Sequence, residues 1–426
     1  MTQSKTFYYG LLIAGMSLGT AWAIRGQFGH EHGAVWAGGI GALAIILLAK
    51  RPDWYPKALK ATVAGAIGWG LGGIMSYGAV VGYGRGIDFG NVYYGLTMLF
   101  VIGGLYGFLG GGLFGLALCD SKEKPVSWSG LLIEMVVMAL VFYFFLVEQF
   151  GWLMTPPRSE LWAACLGMAV ALAWHLVRHG HTAALRVAVY AGLGGGFGFA
   201  FGNFLQVLGR VSEIDFNFWN VMEYTLGFCG GIGMAYGTFT ADWQQSPLVE
   251  VPSKRNWFPI VMLSLVIPLI VWEQSFGTER VSKMLEPLLA SNVASATQLT
   301  QTLSFLLIAC AGLYWLFTFY FANPPVMLSY STLRNFFLAH FGLYTLCSLL
   351  ITGAFLSTYR IEQYLYIVNL LVIGLVLGKV KAVFDPKPNV ARQWGTLLAG
   401  ILVFVAVLAL IAISSHGEIK GAQVRF

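Results

Sequence analysis

The residues best suited to chemistry are two glutamates, each standing ahead of a glycine-rich apolar run. Glu31 lies in the stretch Arg25-Gly26-Gln27-Phe28-Gly29-His30-Glu31-His32 and is followed by Gly38-Gly39-Ile40-Gly41. Glu223 is followed at the same distance by Gly230-Gly231-Ile232-Gly233. An ionisable group about one turn inside an apolar helix is costly, and it points to binding or catalysis. Taken together, Glu31 and Glu223 suit general acid–base catalysis or proton-coupled binding. Taken singly, each caps its own helix, where the N-terminal dipole favours negative charge.

The groups around them widen the choice. His30 and His32 flank Glu31, but on a helix they point to opposite sides, unlike HExxH, so no metal or other cofactor is expected. They either bond a substrate or pack a loop. Arg25, Arg85 and Arg210 recur in equivalent loops, each with an acid nearby: Glu31, Asp88 and Asp215. Arg158 with Glu160 and Arg360 with Glu362 follow the same habit. Such arginines make structural ion pairs or form a basic rim for an anionic or polyhydroxylated ligand. Asn203 and Gln206 share one helix face. With Asn91, Asn220, Gln27, Trp22, Trp36 and Trp219 they form a set that would suit a sugar, hydroxyls meeting the polar groups and ring faces meeting indole. The alternative is an aromatic belt at a membrane surface together with ordinary helix ends.

These residues must be positioned by helices in lipid. Of 426 residues, 57% are hydrophobic and only 10% charged, against roughly 25% charged in a soluble domain. Mean hydropathy is +0.71. The expectation is an all-α, polytopic transmembrane helix bundle, with the lipid bilayer as its main partner. About thirteen spans are read, near 7–24, 33–50, 61–83, 92–118, 129–151, 160–177, 184–208, 218–241, 257–276, 299–322, 334–356, 363–384 and 392–415. The run after MTQSK is read as a first span and not a cleaved signal. TERVSKMLEPLL, between the ninth and tenth spans, is read as a short surface helix.

Lysine and arginine set the orientation. The N-terminus and even-numbered loops hold 16 of the 25, including Lys50, Arg51, Lys57, Lys60, Lys122, Lys124, Lys254, Arg255, Lys379, Lys381, Lys387 and Arg392. This excess predicts an inner-membrane protein with a cytoplasmic N-terminus and a periplasmic C-terminus. The net charge of +6 then reflects anionic lipid and not nucleic acid. The five cysteines show no ligand or disulfide spacing. Histidines 175, 179 and 181 read as an exposed loop, and Glu134 as an acid that pairs with a neighbour or marks an inner gate.

The chain reads as one integral membrane domain over 1–426 with parallel internal repeats. Residues 1–50 form a first Glu-headed hairpin, 61–151 and 184–276 form duplicated three-span units, and 299–426 forms a helical scaffold. The repeats share AGMSLGTAW from Ala14, AGAIGWGLGG from Ala64 and AGLGGGFGFAFGN from Ala191. The fourth span lacks the acid, with Leu96 or Gly103 in its place. The 53 glycines allow close helix packing, hinges, or both. No P-loop, mid-helix retinal lysine or major-facilitator loop signature is present. Two functions follow: a secondary transporter of a small polar solute, a sugar or sugar acid; or a membrane-embedded glycoside hydrolase or lyase with Glu31 and Glu223 as its acid/base pair.

Overall fold

The computed structural model describes residues 3–244, 257–289, 291–321 and 326–426. Lys254 and Arg255 lie outside the described residues. Among the described residues the chain is all helical. The helices are α1 (Gln3–Arg25), α2 (His32–Ala49), α3 (Ala58–Gly72), α4 (Gly78–Tyr83), α5 (Phe89–Cys119), α6 (Trp128–Gln149), α7 (Trp162–Arg178), α8 (Thr182–Val211) and α9 (Phe218–Phe239). They continue as α10 (Trp257–Ser275), α11 (Thr278–Leu285), α12 (Val293–Phe321), α13 (Tyr330–Ile351), α14 (Ile361–Leu377) and α15 (Ala391–Ser415). Among the described residues, nine are long and apolar enough to cross a membrane: α1, α2, α5, α6, α8, α10, α12, α13 and α15. Helices α7 and α14 are apolar but shorter. The short helix expected from TERVSKML forms as α11.

The third expected span, 61–83, is not one helix. Helix α3 stops at Gly72, and the chain turns through Gly73 to Tyr77 before α4 resumes. Two consecutive glycines at Gly72-Gly73 give the helix little reason to continue. Helix α5 restarts the fold cleanly, because Asp88 Oδ1 accepts the Asn91 amide at 2.9 Å. Asn217 caps α9 in the same way.

Six helices close into a ring in the order α1, α2, α3, α5, α8, α9 and back to α1. The ring is three consecutive helical pairs, α1–α2, α3–α5 and α8–α9. The first helix of each pair also touches the second helix of another. Lipid supplies no drive for apolar helices to associate, so the ring needs backbones that approach closely. A Cβ at Gly103 or Gly107 of α5 would land on the α8 backbone, and one at Gly231 would meet the α1 backbone at Ala14.

The indole of Trp69 lies across the ring lumen. It is seated against three glycines from three other helices: Gly38 of α2, Gly110 of α5 and Gly230 of α9. Gly38 and Gly230 are the first glycines of the two GGIG runs, so both runs serve one side chain. Trp22 meets Trp69 edge-on at 5.0 Å, and Tyr106 meets Trp22 at 5.0 Å. These three rings fill the middle of the lumen.

The remaining helices surround the ring. Helices α10 and α13 cover α2, α14 lies against α1, and α15 lies against α5 and α8. Helix α2 is 89% buried over its apolar window, whereas α6 is 17% and α15 22% buried. The apolar outer surfaces of α6 and α15 are therefore left uncovered by the rest of the fold. Lysine-rich loops gather at one end, where Lys50 Nζ donates to Gly378 O at 2.7 Å and Lys124 Nζ to Gly180 O at 3.1 Å. His179 is exposed as expected, but His175 and His181 are buried at this end, which corrects the expected exposed loop for those two. His175 Nδ1 lies 3.2 Å from Glu134, which also pairs with Arg178.

The glycine socket makes a direct prediction. Gly230→Val drives a branched side chain into Trp69, and overpacking of this kind costs about 1–3 kcal/mol. Its melting temperature in detergent should fall by several degrees. Gly400→Val on α15, where no neighbour stands within 4 Å of a Cβ, should melt like the unsubstituted protein.

Candidate functional site

At one end of the lumen the last residue of α1 meets α9. Arg25 Nη2 lies 2.6 Å from Glu223 Oε2, and both side chains are 1% exposed. The break between α3 and α4 delivers the third member. Tyr77 accepts from Arg25 Nη2 at 2.9 Å and donates to Glu223 Oε1 at 2.8 Å. The three groups close a cycle in which both carboxylate oxygens are engaged. Each comes from a different helical pair of the ring.

Aromatic groups enclose the cycle. The Arg25 guanidinium stands 4.9 Å from the Trp22 ring centre, a cation–π distance. Phe199 of α8 packs edge-on against Tyr77 at 5.0 Å. His30 lies in the α1–α2 turn with Nδ1 3.2 Å from Arg25 Nη1. Arginine only donates, so Nδ1 accepts and the ring proton sits on Nε2. Burial and then the Arg25 charge push the His30 pKa down to about 4, although the residue keeps substantial exposed surface. Four buried donors in and around the cycle have no partner among the described residues: Arg25 Nε, Trp22 Nε1, Trp69 Nε1 and the Tyr106 hydroxyl.

A second group of residues lies in the loops at the same end. Arg85 follows α4 and is 7% exposed. Its Nη2 donates to Gln206 Oε1 at 2.7 Å, and its guanidinium carbon stands 5.7 Å from the Trp219 ring centre. Asn203 Nδ2 reaches Val81 O at 3.4 Å. Asn91 holds the C-terminal tail by its main chain: Nδ2 donates to Gln423 O at 2.9 Å, and Oδ1 accepts from Arg425 N at 2.7 Å. Arg210 Nη1 donates to Lys420 O at 2.9 Å.

The expected arginine–acid neighbours do not pair. Among the described residues Arg25 binds Glu223 and not Glu31, and Arg85 and Arg210 bind no carboxylate. The reason is geometric. The acids stay on loop surfaces or helix caps, while Arg25 and Arg85 turn inward to helices far away in sequence and exposed Arg210 bonds the C-terminal tail. Glu31 is 53% exposed, with only His32 near it at 3.8 Å. Asp88 serves as the α5 cap. Asp215 is exposed on the loop before α9. Glu160 accepts the Met154 and Thr155 amides, and Glu362 accepts from Asn217. Gln27 accepts from Arg360 at 3.2 Å, and Asn220 ties the start of α9 to Ala23 O at 3.2 Å. Trp36 turns away from the lumen and packs on Tyr344 and His340 of α13.

Tyr77, Trp69 and Tyr106 were not expected as site residues. The clue to Tyr77 was the run Gly72-Gly73 before Ser76-Tyr77-Gly78, a helix breaker inside an expected span. Nothing in the sequence singled out Trp69 or Tyr106, because their importance comes from the helices they meet.

Two outcomes test the site. Glu223→Leu leaves Arg25 buried and unpaired, which costs about 3–5 kcal/mol. Arg25→Met/Glu223→Leu removes both charges and should recover most of that loss in thermal melts. The second concerns pH. The unfolded chain protonates His30 near its ordinary value, before the folded one does, so its contribution is complete above about pH 6.5 and is lost as pH falls towards 4. His30→Asn should flatten that part of the stability profile.

No family model, curated protein or solved structure matches this chain.

Proposed function

We propose that the protein is a secondary transporter of a small polar solute, a sugar or sugar acid, lying in an inner membrane spanned by about thirteen segments, with α3 and α4 counted as one and α11 lying at the surface. The lysine-rich end faces the cytoplasm, and the Arg25–Glu223 end faces out. The three helical pairs of the ring act as related units around the solute path.

The observation that carries this reading is the buried Arg25–Glu223–Tyr77 cycle at a broken helix. Transporters build solute sites from interrupted helices, where freed backbone and buried charges face the path. Here the cycle links all three pairs and so latches the outer end of the ring. A solute carboxylate arriving at Arg25, or a proton arriving at Glu223, would weaken the 2.6 Å contact and let the pairs part. The four unpartnered donors in and around it supply bonds to an oxygen-rich solute moving inward. The hydrolase or lyase alternative needs a free acid/base pair. It has less support, because both oxygens of Glu223 are already engaged and Glu31 faces solvent.

Purified protein in liposomes should accumulate labelled glucuronate or glucose when a proton or sodium gradient is imposed. Glu223→Gln should abolish accumulation. Gradient-driven uptake that is equal in protein-free liposomes sinks the proposal. So does cleavage of a nitrophenyl glycoside by the detergent-purified protein without uptake.

A further inference from the structure

On the outside of the ring, an apolar groove runs up to a lysine. The groove has a volume of about 550 Å³ and lies between α3, α6 and the start of α10. Lys60 of α3 and Trp128 of α6 stand at its lysine-rich end, and Leu71 and Met135 line it further along the same two helices. Among the described residues that line it, Lys60 alone is charged. Ile67, Leu132 and Phe258 are exposed along its walls, so the groove opens to the outside of the molecule.

The mouth carries excess positive charge. Lys60 pairs with Asp120, and its Nζ stands 5.1 Å from the Trp128 ring centre. Asp120 also accepts from Trp128 Nε1 and from the Val126 amide, both at 3.0 Å, so it is held in place without Lys60. An ammonium has three N–H groups, and Lys60 is 42% exposed, which leaves it donors for a further acceptor. Lys57, three residues earlier, donates to Leu118 O at 2.6 Å and makes no ion pair among the described residues. Two lysines thus stand beside one carboxylate.

The dimensions of the groove select its occupant. At about 1.5 Å per residue, α3 runs about 16 Å from Lys60 to Leu71, close to half the roughly 30 Å hydrocarbon thickness of a bilayer. A second helix, about 10 Å across, would fill roughly 1,200 Å³ over that length, about twice the groove. An acyl chain is slimmer. A groove one leaflet deep, apolar along its length and cationic at its mouth, matches a phospholipid, since basic pockets between membrane helices take anionic headgroups.

We propose that the groove between α3, α6 and α10 holds an anionic glycerophospholipid, with an acyl chain along Ile67 and Leu132 and the phosphate at Lys60. The site rests on the chain lying in a membrane and is independent of the transport reading.

Native mass spectrometry of the full-length protein in neutral detergent, titrated with dioleoyl phosphatidylglycerol or dioleoyl phosphatidylcholine, reads the first bound lipid. Phosphatidylglycerol should bind about fivefold tighter, the effect of one lysine on an anionic lipid. Lys60→Gln should remove that preference, and Lys283→Gln on α11, outside the groove, should keep it. Ile67→Trp and Leu132→Trp, at exposed positions on facing walls, fill the groove. Each should weaken the first phosphatidylglycerol severalfold and melt within a few degrees of the unsubstituted protein. Glycerol 3-phosphate, which has the phosphate but no chain, should not displace the lipid even in large excess. Equal affinity for the two lipids overturns the site, as does a preference that survives Lys60→Gln or an affinity unchanged in both tryptophan variants. Displacement by glycerol 3-phosphate also overturns it, leaving an anion site without a chain. So does a dimer that both tryptophan variants dissociate, which would give the groove to a second copy.

Discussion

The structure depends on one ion pair, Arg25 with Glu223, held away from water where α1 meets α9. Removing two such charges from water is expensive, and their mutual attraction offsets the cost only with close geometry and further hydrogen bonds. The protein supplies both. Tyr77 satisfies the second carboxylate oxygen, and Trp22 lies against the guanidinium. A pair of this kind adds little net stability over an apolar substitute, but it permits few alternative arrangements of the helices that carry it. It fixes how the ends of the three helical pairs meet.

Glycine makes that meeting possible. The ring interior is too narrow for side chains on every face, so Gly38, Gly110 and Gly230 yield their space to Trp69. Trp69 then supports Trp22, which supports Arg25. The charge at that end of the ring is thus positioned by packing in the middle of the lumen. Chemistry and packing are one continuous structure here. The outer helices play a different part: several leave apolar faces uncovered, and α10, α13 and α14 close the sides of α1 and α2.

The candidate site was half legible in the sequence. Arg25, Glu223 and His30 stood out because charge inside apolar runs is rare, and the structure brings them together. Glu31 stood out for the same reason but faces solvent, since its turn lies outside the ring. The local pairing of each arginine with its nearest acid failed at Arg25, Arg85 and Arg210. Sequence proximity favours such pairs only when both side chains reach each other on one surface; Arg25 and Arg85 turn inward, and Arg210 is taken by the main chain of the C-terminal tail. The break at Gly73 was hidden by the apolar residues on either side of it, because hydropathy averages over a window longer than the break.

Composition and hydrophobic periodicity by themselves determined an all-helical chain suited to lipid, because a backbone without water must bond within its own helix. They also marked the glycine-rich helices as those that pack most closely. Only the tertiary structure decided that those helices form a closed ring, that Tyr77 joins Arg25 and Glu223, and that Arg85 and Arg210 stand without an acid. Those facts depend on which faces meet across residues far apart in the chain. Hydropathy records how apolar a helix is, but the partner of each face is chosen by the fit of side chain to glycine.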